Sequence, residues 1–394
     1  MSQQLISRSP DLKRLQDEGY EVEIRSGYLL LHNVPYVNSR RKVAVGVLAS
    51  ELTLAGDATT CPNTHVALFA GEHPCQKDGV EIPQIKHQPS TQSLGNGLSA
   101  QHSFSNKPSC GYKDYYEKMT RYISIISGPA QSLDPNATPT TFKVIESPDE
   151  QSVFQYVDTA SSRAGISAIS TKLRLPKVGI IGLGGTGSYV LDLIAKTPIC
   201  EIHLFDGDAF LQHNAFRSPG APSLDDLRLR PKKVHYFAAL YSRMHRHIVP
   251  HDCYVDGSNL DQLLGLQFAF ICMDRGAAKR AIIAALEAGR IPFIDVGMGV
   301  EIVEGALLGV LRITTSTLSN RKHVPERISF SDGDDNDEYS QNIQIADLNA
   351  LNAALAVMKW KKLCGFYQDL EREHHSTYSI NVNMLTSDYG SDAA

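Results

Sequence analysis

The sequence predicts an α/β protein, a doubly wound and mostly parallel sheet preceded by a smaller α+β or β-rich N-terminal domain. Three observations carry this. From Lys177 onward short apolar runs alternate with helical patterns, the texture of βαβ units and a parallel sheet. A glycine-rich turn separates the first of those runs from the first helix. Before residue 125 the apolar runs are short and broken by Gly, Pro and Asn, which suits strands and turns.

The chain has 394 residues, beyond the usual single domain, so two domains are expected. The boundaries read as 1–127 for an N-terminal domain that docks a partner or carrier, 128–150 for a linker and 151–394 for the α/β domain. The linker assignment rests on the Pro-, Asn- and Thr-rich run at 128–143. Within the first domain, apolar runs at 28–32, 42–48 and 65–69 are strand candidates, and the polar run 88–107 reads as a long loop. Tyr115 and Tyr116 read as core residues.

Hydrophobic residues make up 42% of the chain, enough for real cores and far from disordered composition. A net charge of -5 gives no general attraction to nucleic acid or to an anionic membrane. The N-terminal stretch is polar and charged, and no apolar run is long enough to span a bilayer. The expectation is a soluble, cytoplasmic chain with no nucleic-acid or membrane partner. The seven cysteines, at 61, 75, 110, 200, 253, 272 and 364, are scattered and never form a CxxC pair. That argues against a disulfide framework and a cysteine-rich zinc site. Cys61, His65, His73, Cys75 and His87 have ligand chemistry but match no compact zinc spacing.

In the α/β region, strands are expected at 178–182, 201–206, 249–255, 268–274 and 292–297. Helices are expected at 189–195, 233–247 and 276–289. Residues 303–315 read as a β-rich run, and 343–363 as a helix without a breaker. The acidic run with Asp332, Asp334, Asp335, Asp337 and Glu338 reads as a solvated loop.

The chemistry concentrates at the glycine turn. Gly182, Gly184, Gly185, Gly187 and Ser188 form GxGGxGS between a strand and a helix. Such glycines let the backbone approach a phosphate, whose charge the helix N-terminus favours. Asp206 and Asp208 stand at the tip of the second strand, where an acidic residue can bind ribose hydroxyls. A dehydrogenase would share this much. It has no use for four residues further along the chain: Asn214, Arg217, Lys233 at a helix start, and Asp274 at a strand end. Cations suit phosphate oxygens and a carboxylate suits Mg²⁺, so the set points to cleavage of ATP between its α and β phosphates.

These motifs, in this order and spacing over 177–297, resemble the ThiF family of adenylyltransferases, within the ubiquitin-activating-enzyme-like superfamily. The N-terminal region is similar to an unassigned domain that precedes ThiF in a bacterial subgroup. The resemblance implies a Rossmann-like ThiF fold using ATP and Mg²⁺. By it, Asp206 would hold the ribose, Arg217 and Lys233 the triphosphate, and Asp274 Mg²⁺, with Asn214 supporting phosphate and metal geometry. Arg163, after Ser162, would be a finger reaching a neighbouring subunit's ATP, which implies a homodimer. The implied substrate is the C-terminal carboxylate of a ubiquitin-like or sulfur-carrier protein, with a conjugating enzyme as a further partner. The chain departs from the family at Ser218, where a glutamine is usual, and in lacking the paired CxxC motifs of its structural zinc.

Two other classes stay open on sequence. One is a non-catalytic ATP-binding scaffold in a ubiquitin-like conjugation system, to which Ser218 points. The other is a nicotinamide-dependent oxidoreductase, which shares the glycine turn. For a thioester-forming thiol, Cys75 in its polar loop is the best candidate for exposure, while Cys272 and Cys364 read as buried.

Overall fold

The computed structural model describes residues 2–145, 152–274, 276–330 and 343–388. The acidic run from Asp332 to Glu338 lies outside these residues, as does the end of the expected linker. The described chain forms two compact units, residues 1–171 and 172–394.

In the first unit the helices are α1 (Ser2–Arg8), α2 (Pro10–Asp17), α3 (Tyr115–Leu133), α4 (Thr159–Arg163) and α5 (Ser167–Ser170). Its strands are β1 (Glu21–Arg25), β2 (Tyr28–Val37), β3 (Val43–Glu51), β4 (Leu54–Ala55), β5 (Ala58–Thr59), β6 (Val66–Ala70), β7 (Lys86–Gly95) and β8 (Leu98–Ser105). Six of these strands make one antiparallel sheet in the order β1-β2-β3-β6-β8-β7. Strand alternation sends Val22, Ile24, Leu29, Leu31, Leu48 and Phe69 into one core with Tyr115, Met119 and Tyr122 of α3.

Three expectations for this unit are corrected. The run read as a loop at 88–107 is the β7–β8 hairpin. Its Ser, Gln and Thr residues hid the strand because β7 edges the sheet and is mostly exposed, with register shifts along its pairing. The expected linker begins inside a helix. The Asp114 side chain caps α3 by accepting from Glu117 N at 2.8 Å, and the helix runs through Pro129 to Leu133 because Ala130 buries on its inner face. Residues 152–171 belong to the first unit rather than to the α/β domain. There the Tyr28 hydroxyl donates to Ser162 O at 2.7 Å.

The second unit has β9 (Lys177–Ile181), α6 (Gly185–Ile194), β10 (Glu201–Phe205), α7 (Gln212–Ala215), α8 (Leu224–Leu229), α9 (Lys233–Tyr241) and β11 (Ile248–His251). It continues through β12 (Phe268–Ile271), α10 (Gly276–Ala288), β13 (Phe293–Val303), β14 (Ala306–Ser316) and α11 (Val324–Arg327). It ends with α12 (Ala346–Leu363), β15 (His375–Ser379) and β16 (Met384–Asp388). The sheet order is β11-β10-β9-β12-β13-β14-β15-β16. The first five are parallel, and β14 to β16 extend the sheet antiparallel.

The sheet is covered on both faces. Val178, Ile180, Leu204 and Phe270 pack against Leu191 of α6, Phe237 of α9 and Trp360 of α12. Ile181, Phe205 and Ile271 on the other face pack against Ile282 and Leu286 of α10. This is the doubly wound α/β fold expected from the alternating pattern. Chain order reverses between β9 and β12, the place where such sheets bind ligands. Among the described residues no helix is long and apolar enough to cross a membrane.

Candidate functional site

A cleft of about 370 Å³ opens at that reversal, lined by Gly182, Gly184, Asp206, Asp208, Arg217, Lys233 and Asp274 among others. Gly182 leaves β9 at φ +93°, and a Cβ there would lie 2.5 Å from Cys272 O, so the turn requires glycine. A Cβ on Gly187 would overlap the Gly182 carbonyl oxygen, and one on Gly185 would overlap the Asn349 side chain. Gly184 differs: its Cβ would meet nothing nearer than Gln344 Oε1 at 4.0 Å. The first turn of α6 has N–H groups with no partner within the helix, and its positive dipole end faces the glycine turn.

Asp206 ties that turn to the next strand. Its Oδ2 accepts from Leu183 N at 2.7 Å and its Oδ1 from Asp208 N at 2.8 Å. Lys233 N donates to Asp208 O at 2.9 Å, which seats the start of α9 at the cleft. Lys233 Nζ then stands 2.7 Å from Asp208 Oδ2 and 3.6 Å from Asp206 Oδ2, with its side chain almost wholly buried. The Tyr254 hydroxyl donates to the other oxygen of Asp208. Lys232 turns elsewhere, to Gly207 O at 2.7 Å and Asp252 at 3.2 Å.

Asn214 sits in a tight turn, its Oδ1 accepting from Leu211 N at 2.9 Å. Asn214 Nδ2 and Arg217 Nε are buried donors without a partner among the described residues. Ser218 Oγ donates to Asn214 O at 2.7 Å, so it closes its own turn and cannot reach outward as a glutamine would. The His213 imidazole is held below its usual pKa by burial and then by the Arg217 and Lys233 charges.

The structure thus gathers Gly182, Gly184, Asp206, Asp208, Arg217, Lys233 and Asp274 into one cleft. Gly185 lines a smaller adjoining cleft. Gly187 and Ser188 are buried inside the turn, Ser188 Oγ donating to Gly185 O at 2.7 Å. Asn214 lies behind the cleft wall. Arg163 is not in this unit: it ends α4 in the first unit, exposed, where its charge and that of Lys118 act on Glu51.

Sequence reasoning missed several participants. Asn349 of α12 accepts from Thr186 Oγ1 at 3.0 Å and donates to Arg217 O at 3.3 Å. It therefore joins the glycine turn to the Arg217 loop. Asn352, one turn on, donates from Nδ2 to Gly297 O at 3.0 Å. Two buried asparagines three apart on an otherwise apolar helix face were the available signal. Asp295 of β13 is fully buried between Lys279 Nζ at 3.0 Å and Arg312 Nη2 at 2.6 Å.

The thiols are unlike the expectation at one position. Cys75 is buried, 1% exposed. Burial, then Glu81, pushes its thiol pKa up. Its loop is polar but pairs with both Val37 and Glu81, which takes the side chain inside. Cys272 and Cys364 are also raised by burial, Cys364 to about 11. Cys61 and Cys110 are the exposed thiols. Among the described residues no group of three His, Cys, Asp or Glu is arranged to hold a metal ion.

A larger groove of about 830 Å³ crosses the first unit's sheet. Among the described residues that line it, Lys143 is the one lysine or arginine, and Glu21 is already bonded to Thr141 Oγ1 at 2.6 Å. It does not suit a polyanion.

Fold and cleft together define a doubly wound α/β domain with a glycine turn and, among the described residues, two cations and four carboxylates (Asp206, Asp208, Asp256 and Asp274) at its switch point. Residues 10–159 match the domain of unknown function DUF6791, a match that ends before the glycine turn. No curated protein sequence matches the chain significantly. Among solved structures, PaaA is similar at 18% identity and a TM-score of 0.44, over 56% of this chain and 75% of that one. Escherichia coli MccB with ATP is similar at 18% and 0.44, over 57% and 67%. The same protein with MccA-N7isoASN is similar at 15% and 0.45, over 60% and 72%.

Proposed function

We propose that the second unit activates a carboxylate by adenylation, using ATP and Mg²⁺, with the C-terminus of a ubiquitin-like or sulfur-carrier protein as its substrate. The observation that carries this is the set of donors at the switch point. Arg217, Lys233 and the start of α6 meet in one cleft, and the Nε of Arg217, which lines it, is buried without an acceptor among the described residues. Buried donors left unpaired are costly, and phosphate oxygens would satisfy them. Hydride transfer has no use for them.

In the proposed reaction a carboxylate oxygen of the substrate forms a bond to the α-phosphorus of ATP. The bond from that phosphorus to the bridging oxygen breaks, and pyrophosphate leaves with the electron pair. The product is an acyl-adenylate. Arg217 and Lys233 offset charge on the phosphates, so the chain contributes positioning and electrostatics. Lys233 must exchange part of its contact with Asp208 for a phosphate, and the Tyr254 hydroxyl stays to hold Asp208. Asp206 and Asp208 offer acceptors to ribose hydroxyls. Asp274 offers the single carboxylate that Mg²⁺ needs when phosphates and water complete its shell. When bound, that ion supplies further charge neutralisation at the phosphates.

The same proposal assigns carrier or partner docking to the first unit. It includes a homodimer in which Arg163 of one protomer reaches the other's ATP, and a conjugating enzyme as a later partner. The test is ATP–pyrophosphate exchange with Mg²⁺ and small proteins ending in Gly-Gly. Exchange that depends on the carrier and is lost in Asp274→Ala and Arg217→Ala supports the reading. Exchange unchanged in both variants refutes the assignment of these residues. ATP binding without exchange for any carrier favours a scaffold.

A further inference from the structure

The proposed reaction uses Tyr254 only to hold Asp208, yet the hydroxyl of Tyr254 is placed to react. Tyr254 follows β11 and lines the cleft together with Arg217 and Lys233. Its ring lies on the Gly207 backbone, where a Cβ would stand 2.8 Å from the ring carbons. Asn259 fixes the loop, its Nδ2 donating to Tyr254 O at 2.9 Å and its Oδ1 accepting from Asp256 N at 2.9 Å. Tyr254 is still 47% exposed.

The phenol hydrogen already points at a base. The hydroxyl donates to one oxygen of Asp208, and Lys233 Nζ stands 2.7 Å from the other. Nucleophile, carboxylate and phosphate-binding cation therefore stand in a row. A phenol attacks poorly until a neighbouring base takes its proton, and a nucleophile–base hydrogen bond provides for that. The other nucleophiles of the cleft lack this arrangement. Among the described residues that line it, Tyr254 has the one hydroxyl, beside Cys253, Cys272 and Lys233. Burial, then Asp252, pushes the Cys253 thiol up, and its Sγ donates to Gln262 Oε1 at 3.5 Å rather than to a carboxylate. Burial raises Cys272 as well. Lys233 is ion-paired to two aspartates.

We infer that Tyr254 is a site of self-adenylylation: when no carboxylate substrate is present, its hydroxyl attacks the α-phosphorus of ATP bound in the same cleft. A bond forms from Tyr254 Oη to that phosphorus. The bond from phosphorus to the bridging oxygen breaks, and pyrophosphate leaves with the electron pair. The phenol proton passes to Asp208. The product is AMP joined to Tyr254 as a phosphodiester, lying where the next ATP would bind, so the modification closes the site. The inference rests on the adenylation reading and adds a second acceptor for the same group.

The experiment incubates the full chain with Mg²⁺ and ATP labelled at its α phosphate, without a carrier, beside a sample labelled at the γ phosphate. Label is read on denatured protein at ATP saturating for each variant, so weakened binding does not mimic a lost nucleophile. Tandem mass spectrometry finds the residue. Wild-type protein should carry α label and no γ label on Tyr254. Hydroxylamine should leave it in place, since a phenolic phosphodiester resists what an acyl-adenylate does not. Tyr254→Phe keeps the ring on Gly207, and its α label should fall about tenfold or more. Asp208→Asn should slow labelling about a hundredfold or more. Circular dichroism reports the folding of both variants. Undiminished label in either variant overturns the inference, as does label mapped to another residue. Retained γ label overturns it too, since the group transferred would be a phosphoryl group. Exchange that depends on a small protein ending in Gly-Gly, with no α label on wild-type protein, overturns the inference and leaves adenylation standing. If the chain neither binds ATP nor supports exchange, both fall.

Discussion

Gly184→Ala should separate binding from folding at the glycine turn. The Cβ of an alanine at 184 would find its nearest neighbour, Gln344 Oε1, 4.0 Å away. That is ordinary contact, so the expected cost in stability is about 1 kcal/mol or less. The same methyl would stand on the surface of the cleft, over the N–H groups that open α6. A phosphate kept from one or two of those charge-assisted bonds loses about 1.5–3 kcal/mol, roughly ten- to a hundredfold in Kd. Gly187→Ala is the control. Its Cβ would overlap the Gly182 carbonyl oxygen and sit 3.1 Å from Cys272 Cβ. Backbone cannot yield there as a side chain could, so about 1–3 kcal/mol of stability or more is expected to be lost. Calorimetric titration with a non-hydrolysable ATP analogue and Mg²⁺ gives the first quantity, and urea unfolding gives the second. Full affinity in Gly184→Ala would show that the turn does not hold a phosphate. Equal destabilisation by both changes would show that the cleft is closed at Gly184.

Buried charges and buried thiols give three more outcomes. Lys118 is fully buried, donating to Ser50 Oγ, Thr64 O and Val66 O at 2.7–2.9 Å, and burial lowers its pKa to about 7. A lysine pKa lowered in the folded state means that the unfolded chain binds more protons between about pH 7 and 10. The first unit should therefore gain stability as pH rises through that window, by about 1.4 kcal/mol per unit. Lys118→Met should flatten the slope, and a wild-type profile already flat from pH 7 to 9 would mean that the three acceptors hold the ammonium charged. Asp295→Ala should cost about 3–5 kcal/mol by taking the carboxylate away from buried Lys279 and half-buried Arg312. Urea unfolding reads this, and a loss under about 1 kcal/mol would contradict it. In native protein a maleimide should label Cys61 and Cys110 well before Cys75. Cys75 labelled as fast as Cys61 would contradict its burial.

The parallel core of the second unit was legible because its strands are continuous apolar runs and glycine marks the turn after β9. Both features are local. Arg217, Lys233 and Asp274 could be paired with the glycine turn because residues at the carboxyl ends of parallel strands gather by topology alone. What sequence could not show depends on partners distant in the chain. Asn349 reaches the turn from α12, and only packing brings it against Gly185. Cys75 lies in a polar loop whose burial comes from its pairing with Val37. The β7–β8 hairpin alternates too weakly to show, since an exposed edge strand needs no apolar face. Arg163 is named by the resemblance alone, and Ser162 beside it accepts from the Tyr28 hydroxyl within the first unit.

The most direct test of adenylation is the identity of the products. Protein, Mg²⁺, ATP and a small protein ending in Gly-Gly would be incubated with hydroxylamine, which captures an acyl-adenylate as a hydroxamate. AMP and pyrophosphate formed in step with a C-terminal hydroxamate, and absent in Arg217→Ala, is the predicted result. ADP and phosphate, or ATP consumed with no hydroxamate on the carrier, would contradict the account.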